Sequence, residues 1–173
     1  MEATYLATHL RNLVQRLAKE DTVVAADLAR SIKDPWRRAQ ALSWVARFSR
    51  DQTLQFAHEA EKAAAECGDE YQQVAVLAWV IAALVECDLG QEATRLLQAA
   101  VERAPHVNPA ASRAEALILL LQAGISLGTH SAQPVVNILN SSCGQDHHWR
   151  CHRAIREAPR YLAGERLPRP FFW

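Results

Sequence analysis

The sequence predicts an all-α protein made of stacked antiparallel helical hairpins, with about nine helices in total. Its composition favours helix over sheet, because Ala and Leu are frequent while Gly and Pro number only 6 and 7. Apolar residues recur at three- and four-residue steps along most of the chain. A similar segment also returns after 35 to 40 residues, which is typical of proteins built from stacked repeats.

The first predicted helix covers about residues 1–19 and defines an N-terminal segment, residues 1–20, that packs on the remaining array. Its apolar residues share one face, and polar residues occupy the opposite face. The apolar stripe consists of Leu6, Leu10, Leu13, Val14 and Leu17.

Two shorter helices follow. Asp21 or Thr22 offers a side-chain oxygen that can cap a second helix, which ends near Lys33. Asp34 and Pro35 begin a third, because the missing N–H of proline would be unpaired in a first helical turn anyway.

The remaining helices complete an array over residues 21–164, followed by an irregular aromatic tail at 165–173. Gly68 is expected to end one helix with a positive φ, and Asp69 to cap the next. We expect these six helices at about 53–67, 69–87, 91–104, 110–127, 131–143 and 146–163.

The clearest internal repeat pairs the segment that begins at Asp34 with the one that begins at Asp69. Trp44 and Trp79 occupy equivalent positions in these two copies, which favours core packing between repeats. A single hairpin cannot bury its own apolar face, so neighbouring copies must stack.

Small and apolar residues recur at a characteristic spacing in these two copies. In the first copy they are Ala25, Leu28, Ala29, Ile32, Ala41, Val45 and Phe48, and in the second they are Ala60, Ala63, Ala64, Cys67, Val76, Val80 and Ala83. This spacing resembles the tetratricopeptide repeat, and the resemblance implies a right-handed, TPR-like α-solenoid. The sequence departs from the family signature at Ala25, Ala29 and Ile32, and it lacks the closing proline.

The resemblance implies a non-enzymatic protein–protein interaction module that binds a peptide or protein in a concave groove lined by the first helix of each hairpin. The groove residues it implies are Val23, Ala26, Arg30, Lys33, His58 and Glu61. Arg30 and Lys33 could clamp an acidic peptide or a terminal carboxylate. The alternative is that both are solvated charges that suit a helix C-terminus.

The C-terminal tail holds three consecutive aromatic residues, Phe171 to Trp173, which we expect to be covered. They could fold back over the open apolar face of the last hairpin. Alternatively, they could dock into a partner or a second copy of the chain, giving a homo-oligomer. Pro168 and Pro170 favour an extended conformation for this segment.

Thiols and imidazoles concentrate between Cys143 and His152, where Cys143, His147 and Cys151 are candidate metal ligands. Thiolate and imidazole together suit zinc, which makes a metal-dependent regulatory protein the first alternative function. No Cys-x-x-Cys pair and no fourth ligand are evident, and the alternative is that these are incidental residues at a helix start.

Arginines recur along Arg150–Arg160 at spacings that place them on one helix face. A helical nucleic-acid binder is therefore the second alternative, with a solvated charged face as the simpler reading. The chain as a whole is neutral, with 19 basic and 19 acidic residues, which disfavours nucleic acid and anionic membranes as partners.

The sequence contains no phosphate-binding glycine loop or nucleophile elbow, so we expect neither an enzyme nor a cofactor. Its longest apolar run, Val74 to Val85, is too short to span a bilayer. We find no targeting signal and expect a cytoplasmic protein with four reduced cysteines.

Overall fold

The computed structural model describes residues 2–172, with side chains from residue 4 onward. Over this range the chain forms nine α-helices and no strand, which confirms the all-α prediction. Met1 and Trp173, predicted within the first helix and the tail, lie outside the described residues. The helices are α1 (Glu2–Leu17), α2 (Thr22–Ser31), α3 (Pro35–Phe48), α4 (Thr53–Ala65), α5 (Glu70–Glu86), α6 (Gly90–Arg103), α7 (Ala110–Ile125), α8 (Thr129–Cys143) and α9 (Trp149–Leu162).

Aspartate caps begin three of these helices, as local sequence signals predict. Asp21 Oδ1 accepts hydrogen bonds from the backbone N–H groups of Val23 and Val24, both at 3.0 Å. Asp34 and Asp69 each accept one such bond at 2.8 Å, at the starts of α3 and α5. These carboxylates satisfy amide groups that have no partner within the first helical turn.

The predicted role of Gly68 is wrong, because α4 ends before this residue and Gly68 does not adopt a positive φ. The last turn of α4 tightens instead: the amides of Glu66 and Cys67 donate to carbonyl groups three residues back. Those bonds satisfy the helix end without a left-handed residue. Among the described glycines, Gly128 and Gly164 do have positive φ, at 104° and 73°.

The helices pack in two rows. We call α1, α3, α5, α7 and α9 the second row, because each packs directly against the next. We call α2, α4, α6 and α8 the first row, and each of these packs against the second-row helices beside it. The first three members of the first row stand further apart: no Cα of α2 lies within 8 Å of α4, and none of α4 within 8 Å of α6, whereas α6 and α8 do make contact.

The core lies between the two rows and is rich in alanine, which allows the helices to approach closely. The larger core side chains that are almost completely buried include Ile32, Ile81, Leu97, Leu117, Leu120 and Leu139.

The apolar helix α5 runs through the middle of the second row and is buried over most of its length. It contacts helices of both rows, including α3, α4, α6 and α7, which explains its nearly uniform apolar character. Within residues 2–172 we find no helix that combines the length and the apolarity needed to cross a membrane.

Candidate functional site

The six predicted groove residues lie on or next to the first row, but they do not form one continuous surface. Val23 is 67% exposed at the start of α2, and Lys33 is exposed beyond its other end. Ala26 is only 2% exposed, which corrects its predicted orientation. Its methyl group packs into the core, so no ligand can reach it from solvent.

Arg30 is already paired. Its guanidinium donates two hydrogen bonds of 2.8 Å to the carboxylate of Glu59, which joins α2 to α4. A weaker contact of 3.4 Å links Arg30 to Asp27 on its own helix. The hydrogen bond from Arg30 lowers the pKa of Glu59 below its ordinary value, although burial opposes this shift.

His58 and Glu61 belong to a second ionic cluster, which joins α4 to α6. Arg95 lies 2.6 Å from Glu92 and 2.7 Å from Glu61, while His58 Nε2 lies 3.1 Å from Glu92. Hydrogen bonds to Glu92 and then Glu61 raise the pKa of Arg95. The potential ligand atoms of His58, Glu61 and Glu92 lie within 4.8 Å of one another, but the Arg95 guanidinium already contacts both carboxylates.

The structure does not assemble the predicted zinc site. Cys143 and Cys151 are buried, whereas His147 is exposed and its ring stacks on that of His152. Within the described part of the chain, no three potential metal ligands cluster in this region. Burial, followed by the proximity of Cys143, raises the pKa of Cys151 to about 11.

The arginines of α9 are largely engaged with carboxylates. Arg150 and Arg153 both contact Glu115, at 3.7 and 2.5 Å. Arg160 lies 3.5 Å from Glu165. These pairs reduce the positive potential that a phosphate backbone would need, so they weigh against the nucleic-acid alternative.

The second row carries an unpredicted feature, which we call the aromatic face: Trp44 of α3 and Trp79 of α5, together with the tail residues that cover them. The Phe172 ring centroid lies 4.8 Å from that of Trp44 and 5.8 Å from that of Trp79, both in edge-on geometry. Phe171 makes a similar contact with Trp79 at 5.8 Å. Such geometries are favourable for aromatic pairs, so the tail is held by specific ring contacts.

These contacts correct the expectation that the tail covers the last hairpin. Residues 165–172 contain no helix; after Gly164 the segment returns across α7 and α5 and reaches α3. The rings bypass α8 and α9 because Trp44 and Trp79 offer aromatic partners in the middle of the second row. Cations lie around them: the Arg47 guanidinium is 4.9 Å from the Phe172 ring, and Lys19 Nζ is 5.9 Å from the Trp44 ring.

The tail does not fill the surface beneath it. A cleft of about 350 Å³ lies between residues 167–171 and the helices α5 and α7. Gln122 lines this cleft, is 5% exposed and donates to the Tyr161 hydroxyl at 3.0 Å, but its Oε1 has no hydrogen-bond partner. The buried Nε1 of Trp44 also lacks one. Unsatisfied buried groups of this kind cost about 1–3 kcal/mol each.

The base of the tail is attached to α9 by charge. Arg166 lies 2.8 Å from Glu157, and its guanidinium stands 5.4 Å from the Tyr161 ring. The intervening Leu167 is largely exposed, as is Arg169. The segment is therefore anchored at both ends and loosely packed between them.

The predicted core packing of Trp44 and Trp79 is confirmed, because Trp44 is buried and Trp79 packs against the core. Their contact with the tail was not predicted. The available signal was the recurrence of Trp on successive helices together with an aromatic segment that was expected to be covered. It also missed Glu92 and Arg95 as ionic partners. Here the signal was a constant separation of 34 residues, which joins His58 to Glu92 and Glu61 to Arg95.

Comparison of the chain with protein-family models, with curated proteins and with solved structures finds no match.

Proposed function

We propose that this chain is a non-enzymatic protein–protein interaction module that binds a short extended segment of another protein on its aromatic face. The proposal includes the finer architecture, a right-handed TPR-like stack of hairpins over residues 21–164. It also includes a cytoplasmic setting, which agrees with the four free thiols.

One observation carries the proposal: an extended segment with adjacent aromatic residues already lies on this face. Phe171 and Phe172 contact Trp44 and Trp79 through their ring edges, and Pro170 precedes them. A surface that accepts such a segment from its own chain has the shape and chemistry to accept one from another protein. Proline-rich segments suit this role, because they lose little conformational entropy on binding.

The spacing of the helices within each row also favours the second row as the binding surface. Second-row helices pack directly on one another, whereas α2, α4 and α6 are held apart and bridged by long side chains. In a curved stack the more closely spaced row lies on the inner side. We therefore infer that the concave surface is formed by second-row helices, in place of the first-row groove that the resemblance implied.

The first-row residues are less suited to ligand binding. Arg30, His58 and Glu61 already contact charged partners, so an incoming peptide would have to replace existing ion pairs. On the aromatic face, by contrast, a peptide backbone can supply the missing acceptor for Trp44 Nε1 and a donor for Gln122 Oε1.

The test uses a fluorescent peptide with the sequence of residues 167–173 and the full-length Phe171→Ser/Phe172→Ser variant. We expect the peptide to bind the variant at least about tenfold more tightly than the wild type, measured by fluorescence anisotropy. The reason is that the wild-type tail competes at an effective concentration of the order of millimolar. A peptide with both phenylalanines replaced by serine is the matched control.

Adding Trp79→Ala to the double variant should abolish binding, while circular dichroism confirms that the helices persist. Equal binding of the peptide and its serine control would overturn the proposal. So would unchanged affinity after Trp79 is removed.

A further inference from the structure

The aromatic face has a basic edge formed by α1 and the turn that follows it. Arg11 and Gln15 stand four residues apart and share one side of α1, and Lys19 lies in the turn after Leu17. The helices α1 and α3 pack against each other, with Lys19 Nζ 5.9 Å from the Trp44 ring. Arg11 precedes Lys19 by eight residues and Arg37 precedes Trp44 by seven, so both arginines lie towards the same end of this helix pair. The lowering of the pKa of Arg11 by burial and then by the charge of Arg37 agrees with this placement.

Arg11 and Arg37 have no carboxylate partner among the described residues. The Nε of Arg11 is buried without a hydrogen-bond partner, and burial, followed by the charge of Arg37, lowers its pKa. Arg37 donates at 3.2 Å to the neutral amide of Gln40 and stands 5.7 Å from the Trp36 ring. Within the described residues, no carboxylate lies within 4 Å of either guanidinium.

This arrangement contrasts with the other arginines of α2 and α3. Arg30 and Arg47 each contact a glutamate on a neighbouring helix, and Arg38 contacts Glu66 just after the end of α4. Two adjacent cations, one with a buried unpaired donor, are unfavourable unless an anion joins them.

We propose that Arg11 and Arg37, beside Trp36, form a carboxylate subsite at the end of the aromatic face. The partner segment would then carry an acidic side chain close to its aromatic pair. This inference rests on the proposed function and specifies the ligand of the same face. Arginine suits the role, because its planar set of donors matches a carboxylate.

The geometry of α3 sets the expected separation between the acidic residue and the aromatic pair of the ligand. Trp36 and Trp44 are eight residues apart on α3, which corresponds to about 12 Å along the helix axis. An extended peptide covers this distance in about four residues. The acidic residue should therefore stand about four positions from the ring that contacts Trp44.

The test compares peptides that contain Pro-Phe-Phe and carry either Glu or Gln four positions before or after the aromatic pair. Binding is measured with the full-length Phe171→Ser/Phe172→Ser variant, which leaves the face open. We expect at least one Glu peptide to bind about tenfold more tightly than its Gln counterpart at low salt. The preference should shrink as salt rises, because the contact is ionic.

The subsite is then removed by adding Arg11→Gln and Arg37→Gln, with Arg16→Gln, an exposed position of the same helix, as the control. The preference for Glu should disappear in the first case and persist in the second. The single replacement Arg37→Gln should reduce the preference for Glu peptides. This variant provides the measurement if the double replacement does not fold.

The outcomes separate the two proposals. If Glu and Gln peptides bind equally well, the carboxylate subsite is wrong while the peptide-binding face stands. A preference for Glu that survives the loss of both arginines overturns the subsite as well. Failure of every peptide to bind overturns both proposals.

Discussion

At the scale of single residues, two tryptophans show how position decides role. Trp44 is 2% exposed and lies between Phe48 and Phe172. Trp149 is 58% exposed at the start of α9, where the guanidinium of Arg153 stands 5.0 Å from its ring. The same side chain is therefore part of the core in one case and part of the surface in the other.

Replacing these residues should separate the two roles. Trp44→Ala should lower the free energy of unfolding by about 3–5 kcal/mol, because it removes a large buried ring and leaves a cavity. Trp149→Ala should change it by only about 0.5 kcal/mol. Urea denaturation followed by far-ultraviolet circular dichroism measures both, and similar losses would contradict the burial described for Trp44.

At the scale of elements, the first-row helices are joined through charged side chains. Arg30 lowers the pKa of Glu59, and Arg95 lowers the pKa of Glu92, in each case mainly through a hydrogen bond. These groups are partly solvated, so each pair contributes no more than about 1 kcal/mol. The ion pairs set the alignment of α2, α4 and α6, while the second row supplies most of the apolar burial.

This arrangement predicts how stability responds to acid. A carboxyl with a lowered folded-state pKa contributes stability that is complete above its unfolded value, 4.5 here, and is lost as pH falls through the folded value. Thermal midpoints should therefore decline below about pH 4.5. Glu59→Gln/Glu92→Gln should lower the midpoint at pH 7 and flatten the decline; an identical slope in the variant would refute the assignment.

Helix positions were predictable because their signals are local. Asp21 and Asp69 cap helices through amides two or three residues away, and a sequence displays such relations directly. The orientation of α2 was not predictable, because in this Ala-rich helix Val23 is exposed while Ala26 is buried. Hydrophobicity alone would predict that Val23 is buried in preference to Ala26. The closely packed core favours the smaller side chain instead.

The candidate site depended on contacts between distant segments, which local patterns do not encode. An aromatic tail predicted burial but not its location, because the partners of Phe172 lie more than ninety residues earlier in the sequence. The unpaired state of Arg11 was equally hidden. It becomes visible only when the neighbouring helices are in place and no side chain described there supplies a carboxylate.

At the scale of the whole molecule, the tail connects the last helix of the stack to the middle of the second row. It leaves α9 at Gly164, crosses α7 and α5, and contacts α3 through Phe172. Because it is loosely packed between its anchors, the aromatic contacts dominate its attachment. Release of the tail should open the aromatic face without unfolding the helices.

Limited proteolysis with trypsin tests this attachment. Cleavage after Arg166 should be slow in the wild type, because Glu157 holds its side chain and the aromatic rings hold the segment beyond it. The Phe171→Ser/Phe172→Ser variant should be cut there at least about tenfold faster, since fast local opening controls cleavage. Rates at sites within the helices serve as the control, and equal rates after Arg166 would contradict the anchoring role of the rings.

The route of the tail has a practical consequence for laboratory work. Phe172 rests on the aromatic face, so any reporter or affinity tag joined to the carboxyl end emerges directly over that face. A reporter or tag at that position would block the surface whose binding it was meant to measure.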